Sequence, residues 1–523
     1  MSLKNFNQVT GEVELETNGS NGDLDNDDLD LLQMGHTPAL QRNFSRFSLL
    51  ALSFMIVDSW LGISTSLGTG ISSGGTAMLI YGSLGASFFT LCIALSLAEI
   101  GGAYPTSGGQ YHWTKTLAPK KISRISSYLC GYYNTFGWCT TSASVNLALS
   151  QFVMAIIILC HPDIEYHRWQ GFIIYQVMNI IITFMNVFGH SIIPIFNKAG
   201  FLICLSAFIV INCTLIATAD KRNSAKFVFA SFTNNTGYES NPLAFIVGLS
   251  CTAFSYGGLD GSIHISEELK DAKKTLPKIL VMTVVIGFVT MFLTAIVISF
   301  SIQDLNGLID TPTGVPIIEL LYQTTKNKGA SVFLSTVLLY LTMSAFIGCQ
   351  GTSNRLIWAF ARDHGLPVSH KLSIVNSKFK VPVNASILCW FIISILGCIY
   401  LGSSTAFNAL VGCNALMGYI SFAFPIAFLL LGGRKRLSKS TFELGPVFGS
   451  ILNILALGWI IFAVVMLEFP YTKPVTAGNM NYSSAIIGGT GIIALICWII
   501  SGRKHYFEDK LEEKIISEIS QSI

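Results

Sequence analysis

Long apolar runs separated by short clusters of charge set the pattern of this chain. A helix crossing a bilayer needs ~20 mostly apolar residues. Twelve such stretches begin near Phe47, Gly74, Ser126, Trp169, Lys198, Leu243, Lys278, Ala330, Val383, Thr405, Gly445 and Ser483. The uncharged run from Val383 to Gly433 is too long for one helix, and Gly402-Ser403-Ser404 divides it as a tight outer turn into the ninth and tenth spans. The pattern predicts an all-α polytopic membrane protein of twelve transmembrane helices.

The charge clusters set the orientation. With the N-terminus inside, the inner segments collect Lys115, Lys120, Lys121 and Arg124, then Lys270, Lys273, Lys274 and Lys278, then Arg362, Lys371, Lys378 and Lys380, then Arg434, Lys435, Arg436 and Lys439. The outer segments hold only Arg168, Lys221, Arg222, Lys226, Lys326, Lys328 and Lys473. Both termini are then cytosolic, and the sequons Asn234-Asn235-Thr236 and Asn481-Tyr482-Ser483 face outward. Residues 1–44 read as an acidic cytosolic tail without the form of a cleaved signal peptide, and 503–523 as a second cytosolic tail, the first expected to be disordered and the second weakly amphipathic.

Composition narrows the function classes. The 523 residues are 51% hydrophobic and 12% charged, with a mean hydropathy of +0.57, which excludes an ordinary soluble fold. A net charge of +3 gives no reason to expect a nucleic-acid partner. The 12 Cys fall mostly within apolar runs, without CxxC spacing, so they read as packing residues and imply no metal centre; no cofactor is expected. Neither HExxH nor a nucleophile with its own orienting base is present, which argues against an enzyme. The link after the sixth span, Glu268 to about Pro277, is too short for the major facilitator plan.

Carriers built on inverted repeats bind substrate where two corresponding helices break at mid-membrane. The first span carries Asp58-Ser59-Trp60-Leu61-Gly62-Ile63-Ser64, and the sixth carries Tyr256-Gly257-Gly258-Leu259-Asp260-Gly261, an acid beside each interruption. Asp58 lies about 16 Å along its helix from Phe47, near the middle of a ~30 Å hydrocarbon core. An ionised carboxylate there costs at least ~2.5 kcal/mol, so it faces a partner or a wet cavity. The alternatives are a hydrogen bond to a neighbouring helix for Asp58 and a helix cap for Asp260. Trp60 and Tyr256 flank the acids, and Tyr132, Tyr133, Phe136 and Trp138 crowd the third span; aromatic faces attract quaternary ammonium groups, although aromatics at helical spacing also simply pack. Glu99, His264, Glu267 and Glu268 lie toward the inner side as candidate coupling or gate groups, with Arg355 and Arg362 as partners, or as an interfacial charge cluster.

From about Asn43 to Gly502 the chain resembles the fungal amino acid/choline transporter family of the amino acid–polyamine–organocation superfamily. The resemblance rests on WLGISTSLGTGISSGG from Trp60, SLAEIGGAYPTSGGQYHW from Ser96, FVFASFTNNTGYESNPLAFIVGL from Phe227, HISEELKDAKKTLP from His264 and WAFARDHGLP from Trp358. It implies a five-plus-five inverted repeat (LeuT-like) with discontinuous helices 1 and 6, followed by two extra helices: 45–220 and 221–430 as the repeats and 431–502 as helices 11 and 12. It also implies substrate-site residues Ser59, Trp60, Gly62 and Ser64 on the first break and Tyr256, Gly257 and Asp260 on the second, with walls from helices 3, 8 and 10. Acidic Asp58, and Gly257-Gly258 and Gly261 around Asp260, depart from the family pattern.

The function expected is alternating-access import of choline or a related small ammonium compound at the plasma membrane. The alternatives are a proton-coupled GABA or amino acid permease of the same family, with ethanolamine also open as substrate, and a nutrient sensor on a transporter fold. The expected partners are the small-molecule substrate, protons on the coupled reading, and the lipid bilayer.

Overall fold

The computed structural model describes residues 25–189, 191–403 and 412–507. Among these the chain is helical throughout, apart from one isolated bridge between Phe44 and Leu269. The helices used below are α1 (Asn26–Gln33), α2 (Arg46–Val57), α3 (Ser59–Thr65), α4 (Leu67–Gly101), α5 (Gln110–Leu117), α6 (Ser123–Cys160), α7 (Arg168–Phe188), α8 (Ile193–Thr218), α9 (Asn241–Phe254), α10 (Ala272–Ser301), α11 (Lys328–Arg362), α12 (Val383–Gly402), α13 (Asn414–Leu430), α14 (Pro446–Met466) and α15 (Ser483–Cys497). Among the described residues, eleven helical stretches are long and apolar enough to cross a membrane, counting α2 with α3 as one and α9 with the turn after it as another. The remaining expected span is represented by α13, 17 residues long; its expected start at Thr405 and the turn residue Ser404 lie outside the described residues.

Local chemistry explains the helix starts. Ser45 precedes α2 and forms a capping box with Ser48, satisfying amides that the first turn leaves free. At α9 the Ser240 side chain accepts the Leu243 amide, and Pro242 stands in the first turn, where its missing N–H costs nothing. Burial then follows the solvent. The shells of α7, α8 and α15 carry exposed Ile180, Phe184, Ile209, Val210, Ile492 and Ile496, as a helix facing lipid must. Polar side chains such as Asn134, Asn146, Asn186, Gln350 and Asn354 are turned inward.

Below, the end bearing Glu267, Glu268 and the Lys/Arg-rich loops is called inner, and the opposite end outer. Residues 25–44 do not trail away from the inner end. Asp25 and Asp28 grip Arg42, Lys273 donates to Asp30 at 2.6 Å, and the Asp271 amide donates to Asp27 at 2.8 Å. Leu31 and Leu32 are buried, and the Phe44 amide donates to the Glu268 carbonyl at 3.1 Å. The acidic composition that suggested a disordered tail is, over this stretch, a set of partners for Arg42 and for the first turn of α10.

Candidate functional site

The first break is made by one residue. The apolar run of α2 ends where Asp58 adopts φ 29°, ψ 59°, a left-handed conformation costing a non-glycine residue about 1–3 kcal/mol. Asp and Asn bear that cost better than most. The Asp58 amide donates to Phe54 O at 2.7 Å, closing α2, and its carbonyl accepts from the amides of Leu61 and Gly62 at 2.9 Å each, opening α3. The second break follows α9: Gly258 turns at φ 82°, and only short 3-10 turns, Leu259–Ser262 and Ser266–Glu268, lead on to α10. The two breaks touch, since a Cβ on Gly62 would sit 2.9 Å from Ser255 Cα, so a larger residue at 62 pushes them apart.

A cavity of about 600 Å³ opens outward from this contact. Its walls come from both breaks (Asp58, Gly62, Gly257), from α6 (Thr141, Ser144), from α11 (Thr342, Ala345) and from Asn414, and its rim from residues between Tyr471 and Asn481. Asp58 is 3% exposed. Its Oδ1 accepts the Cys204 thiol at 3.5 Å, and its Oδ2 has no partner. Trp60 donates Nε1–H to Cys204 Sγ at 3.3 Å and lies edge-on to Phe208, so its ring is buried against α8 and does not line the cavity. Ser59 packs toward Gly287 and Ser64 donates to its own helix at Trp60 O; neither lines the cavity.

A second, much smaller space of about 30 Å³, enough for roughly one water molecule, shares Thr141, Gly257 and Asn414 with the first. Trp138, Tyr256, Tyr419 and Phe422 line it together with Asp260. Asp260 differs from Asp58 in being fully engaged at one oxygen: Oδ2 accepts from Gln110 Nε2 at 2.8 Å and Trp138 Nε1 at 3.1 Å, and lies 3.0 Å from His264 Nε2. His264 Nδ1 lies 2.9 Å from the Ser107 carbonyl, which only accepts, so that nitrogen carries a proton. The Tyr256 hydroxyl is turned to Ser87 on α4, at 2.7 Å. Of the aromatic residues on α6, Tyr132 pairs with Tyr128 and Phe360, and Tyr133 donates to Ile487 O; Phe136 lines neither space, and Trp138 lines the second.

Inward of both spaces the bundle is closed by ion pairs. Arg355 Nε meets Glu268 Oε1 at 2.8 Å, and Arg362 grips both oxygens of Glu267 at 2.9 and 3.1 Å. Burial pushes the Glu267 carboxyl up, but the Arg362 guanidinium and donors from Ser107 and Thr106 outweigh it and leave the group below its ordinary value. Glu99, at the end of α4, pairs with Arg434 at 2.6 Å and accepts the Leu444 amide. Beside Arg362, Asp363 accepts from the Tyr111 hydroxyl at 2.8 Å and approaches His36 of the N-terminal segment at 3.7 Å. The sequence pointed to the two arginines; Cys204, Gln110, Asn134 and the rim residues carry no pattern of their own.

A sequence model described as amino acid permease matches residues 44–492. The choline transporter of Saccharomyces cerevisiae is 38% identical over 485 residues, covering 92% of this chain and 85% of that protein. The 7-keto 8-aminopelargonic acid transporter of the same yeast is 30% identical, over 85% of this chain and 90% of its own length. An amino-acid permease of Arabidopsis thaliana is also 30% identical, over 92% and 96%.

Proposed function

The chain belongs to the amino acid permease family, and we propose that within it the protein imports choline or a related small ammonium compound by alternating access through the Asp58 cavity. It is a multi-pass membrane transporter and not an enzyme. The observation that carries the substrate class is the unpaired Oδ2 of Asp58, a buried carboxylate oxygen on a residue that lines a cavity with no Lys or Arg among its lining residues. A buried anion is tolerated when a ligand supplies the opposite charge. Trp138, Tyr256, Tyr419 and Phe422 line the adjoining one-water space and not the Asp58 cavity, so on this reading that space widens to admit the ammonium, each face then adding about 0.5–2 kcal/mol when desolvated. The likeness to a yeast choline transporter favours the same choice.

On this reading 45–220 and 221–430 are two inverted five-helix repeats whose broken members, α2–α3 and α9 with its 3-10 turns, meet at the substrate. Ser59, Trp60 and Ser64 then act by holding the break in shape, and Glu99, Glu267 and Glu268 by holding the inner side closed. A monovalent cation entering a cell gains ~2.3 kcal/mol per 100 mV of inside-negative potential, so choline accumulates without a coupled ion. We place the protein at the plasma membrane, where that field acts on external substrate.

The Asp260–His264 pair favours a second reading, proton-coupled uptake of GABA or another amino acid, because a zwitterion gains nothing from the field and needs a titrating partner. Tracer uptake in cells lacking their own permeases separates the two. Competition by choline with little dependence on external pH supports the first reading. Competition by GABA or a neutral amino acid alone, with uptake rising in acid, replaces it with the second. Uptake retained in isolated vesicles excludes a pure sensor.

A further inference from the structure

The outer rim of the cavity is formed largely by the connection between α14 and α15. Tyr471, Thr472, Gly478, Asn479, Met480 and Asn481 all line it. Among the described residues, neither of the short helices between α10 and α11, Leu305–Ile309 and Pro316–Thr325, does so.

This connection is a built object. The Thr476 amide donates to Asn479 Oδ1 at 2.7 Å, and Asn479 Nδ2 donates to Pro474 O and Thr472 Oγ1. Asn481 Nδ2 donates to Leu467 O at the end of α14, and the Ser483 amide returns to Asn481 Oδ1. Such self-packed loops hold their shape when moved as a unit.

It is also fastened to the segment leading into α9. The Lys473 amide donates to Thr236 O at 2.7 Å, and the Tyr238 hydroxyl donates to Pro470 O at 2.8 Å. Lys473 Nζ lies 4.7 Å from the centre of the Tyr238 ring, and Tyr471 packs on Tyr238, Ala244 and Val247. Gly237 stands so close that a Cβ there would lie 2.3 Å from the Lys473 carbonyl oxygen. The loop is thus attached to the outer end of α9, the helix whose inner end is the second break.

We propose that residues 470–481 are the outer gate of the carrier, borne on α9 and carried over the cavity when α9 tilts about its break. The proposal rests on the reading of the Asp58 cavity as the substrate site. The 14 residues of α9 give a lever of about 20 Å, so a tilt of roughly 20° moves its outer end by about 7 Å. A cavity of about 600 Å³ is larger than a small ammonium compound fills. Occlusion therefore requires the rim to descend, and Met480, an apolar side chain on that rim 38% exposed, becomes the roof.

The test places single cysteines in the full chain and follows their modification by a membrane-impermeant anionic thiol reagent in whole cells, with the native chain as blank. Met480→Cys probes the gate, Ser144→Cys the α6 wall of the same cavity, and Val475→Cys the exposed loop surface that does not line the cavity. Choline, and GABA in parallel, is added at about ten times its half-saturating level, which leaves roughly one carrier in ten empty. Expected is about tenfold slower modification of both Met480→Cys and Ser144→Cys, no change at Val475→Cys, and loss of uptake after Met480→Cys alone of the two loop variants is modified. Protection of Ser144→Cys without protection of Met480→Cys overturns the gate and leaves the substrate site standing. Protection of neither overturns the substrate site, and the gate with it.

Discussion

The sharpest expectation concerns Asp58→Asn. Asparagine tolerates the left-handed backbone that Asp58 adopts, so the break survives, and the substitution removes charge with little change of shape. An ammonium held about 4 Å from the carboxylate, at an effective dielectric near 20, gains about 4 kcal/mol. An amide oxygen retains a neutral hydrogen bond or dipole contact of about 1 kcal/mol. The net loss is then about 3 kcal/mol, a rise of roughly a hundredfold in Kd or KM. The same substitution relieves a buried carboxylate whose Oδ2 is unpaired, so the empty carrier gains thermal stability. Tracer choline uptake, corrected for surface expression, gives the first quantity, and thermal unfolding in detergent without substrate gives the second. A KM within about threefold of native for every transported ammonium compound would refute the reasoning, because a charge worth so little cannot be the substrate's partner.

Trp60→Leu is expected to lower thermal stability through lost packing against Phe208 and Cys204 while leaving choline KM within about threefold, which cation affinity and melting measurements distinguish. Arg355→Gln strands Glu268 in a site where both side chains are only a few per cent exposed and costs about 3–5 kcal/mol; adding Glu268→Gln recovers more than half of the lost stability, and no recovery would mean the pair is not coupled. The N-terminal brace is expected to loosen in acid. Burial, with Arg362, His112 and Lys115 nearby, holds His36 well below its ordinary 6.5, and burial with Lys115 and Arg362 holds His112 down to about 3. Both are therefore neutral when docked, and the bracing is complete above 6.5 and weakens as pH falls below it. Asp363, pushed up by burial to about 6 from its ordinary 3.8, acts in the opposite sense only between those two values. From about pH 7.5 to about pH 6 the release of His36 alone gives a roughly fourfold larger open population, read as faster amide exchange in residues 25–44 after correction for intrinsic rates; unchanged protection refutes the docking of neutral His36.

Much of the membrane plan was legible because a bilayer imposes one rule, and long apolar runs obey it. Asp58 was conspicuous for the same reason, as a charge in such a run. The orientation of Trp60 was not legible. Helical phase carries from residue to residue only while φ and ψ repeat, and the positive φ at Asp58 resets the angle at which the next side chains leave the axis. Asp260 and His264 were visible only as separate candidates, and Gln110, Asn134 and Trp138, which complete their network, come from elements more than 120 residues away. Glu99 finds Arg434 across a separation of 335 residues, which composition and spacing do not encode. The 470–481 loop has no periodicity to read, and its place on the cavity rim and its bonds to Thr236 and Tyr238 emerge only in the fold.

The closed inner side has a consequence for the energy of the empty carrier. On the proposed alternating-access reading, substrate arriving from outside meets the form seen here, which can receive it without rearrangement of the inner side. Substrate arriving from inside must wait for Arg355, Arg362 and Arg434 to release their carboxylates and for residues 25–44 to lift. If these together favour the closed side by about 3 kcal/mol, binding from within is weakened by roughly a hundredfold. One molecule would then present two affinities for one ligand, with the asymmetry residing in salt bridges that never touch it.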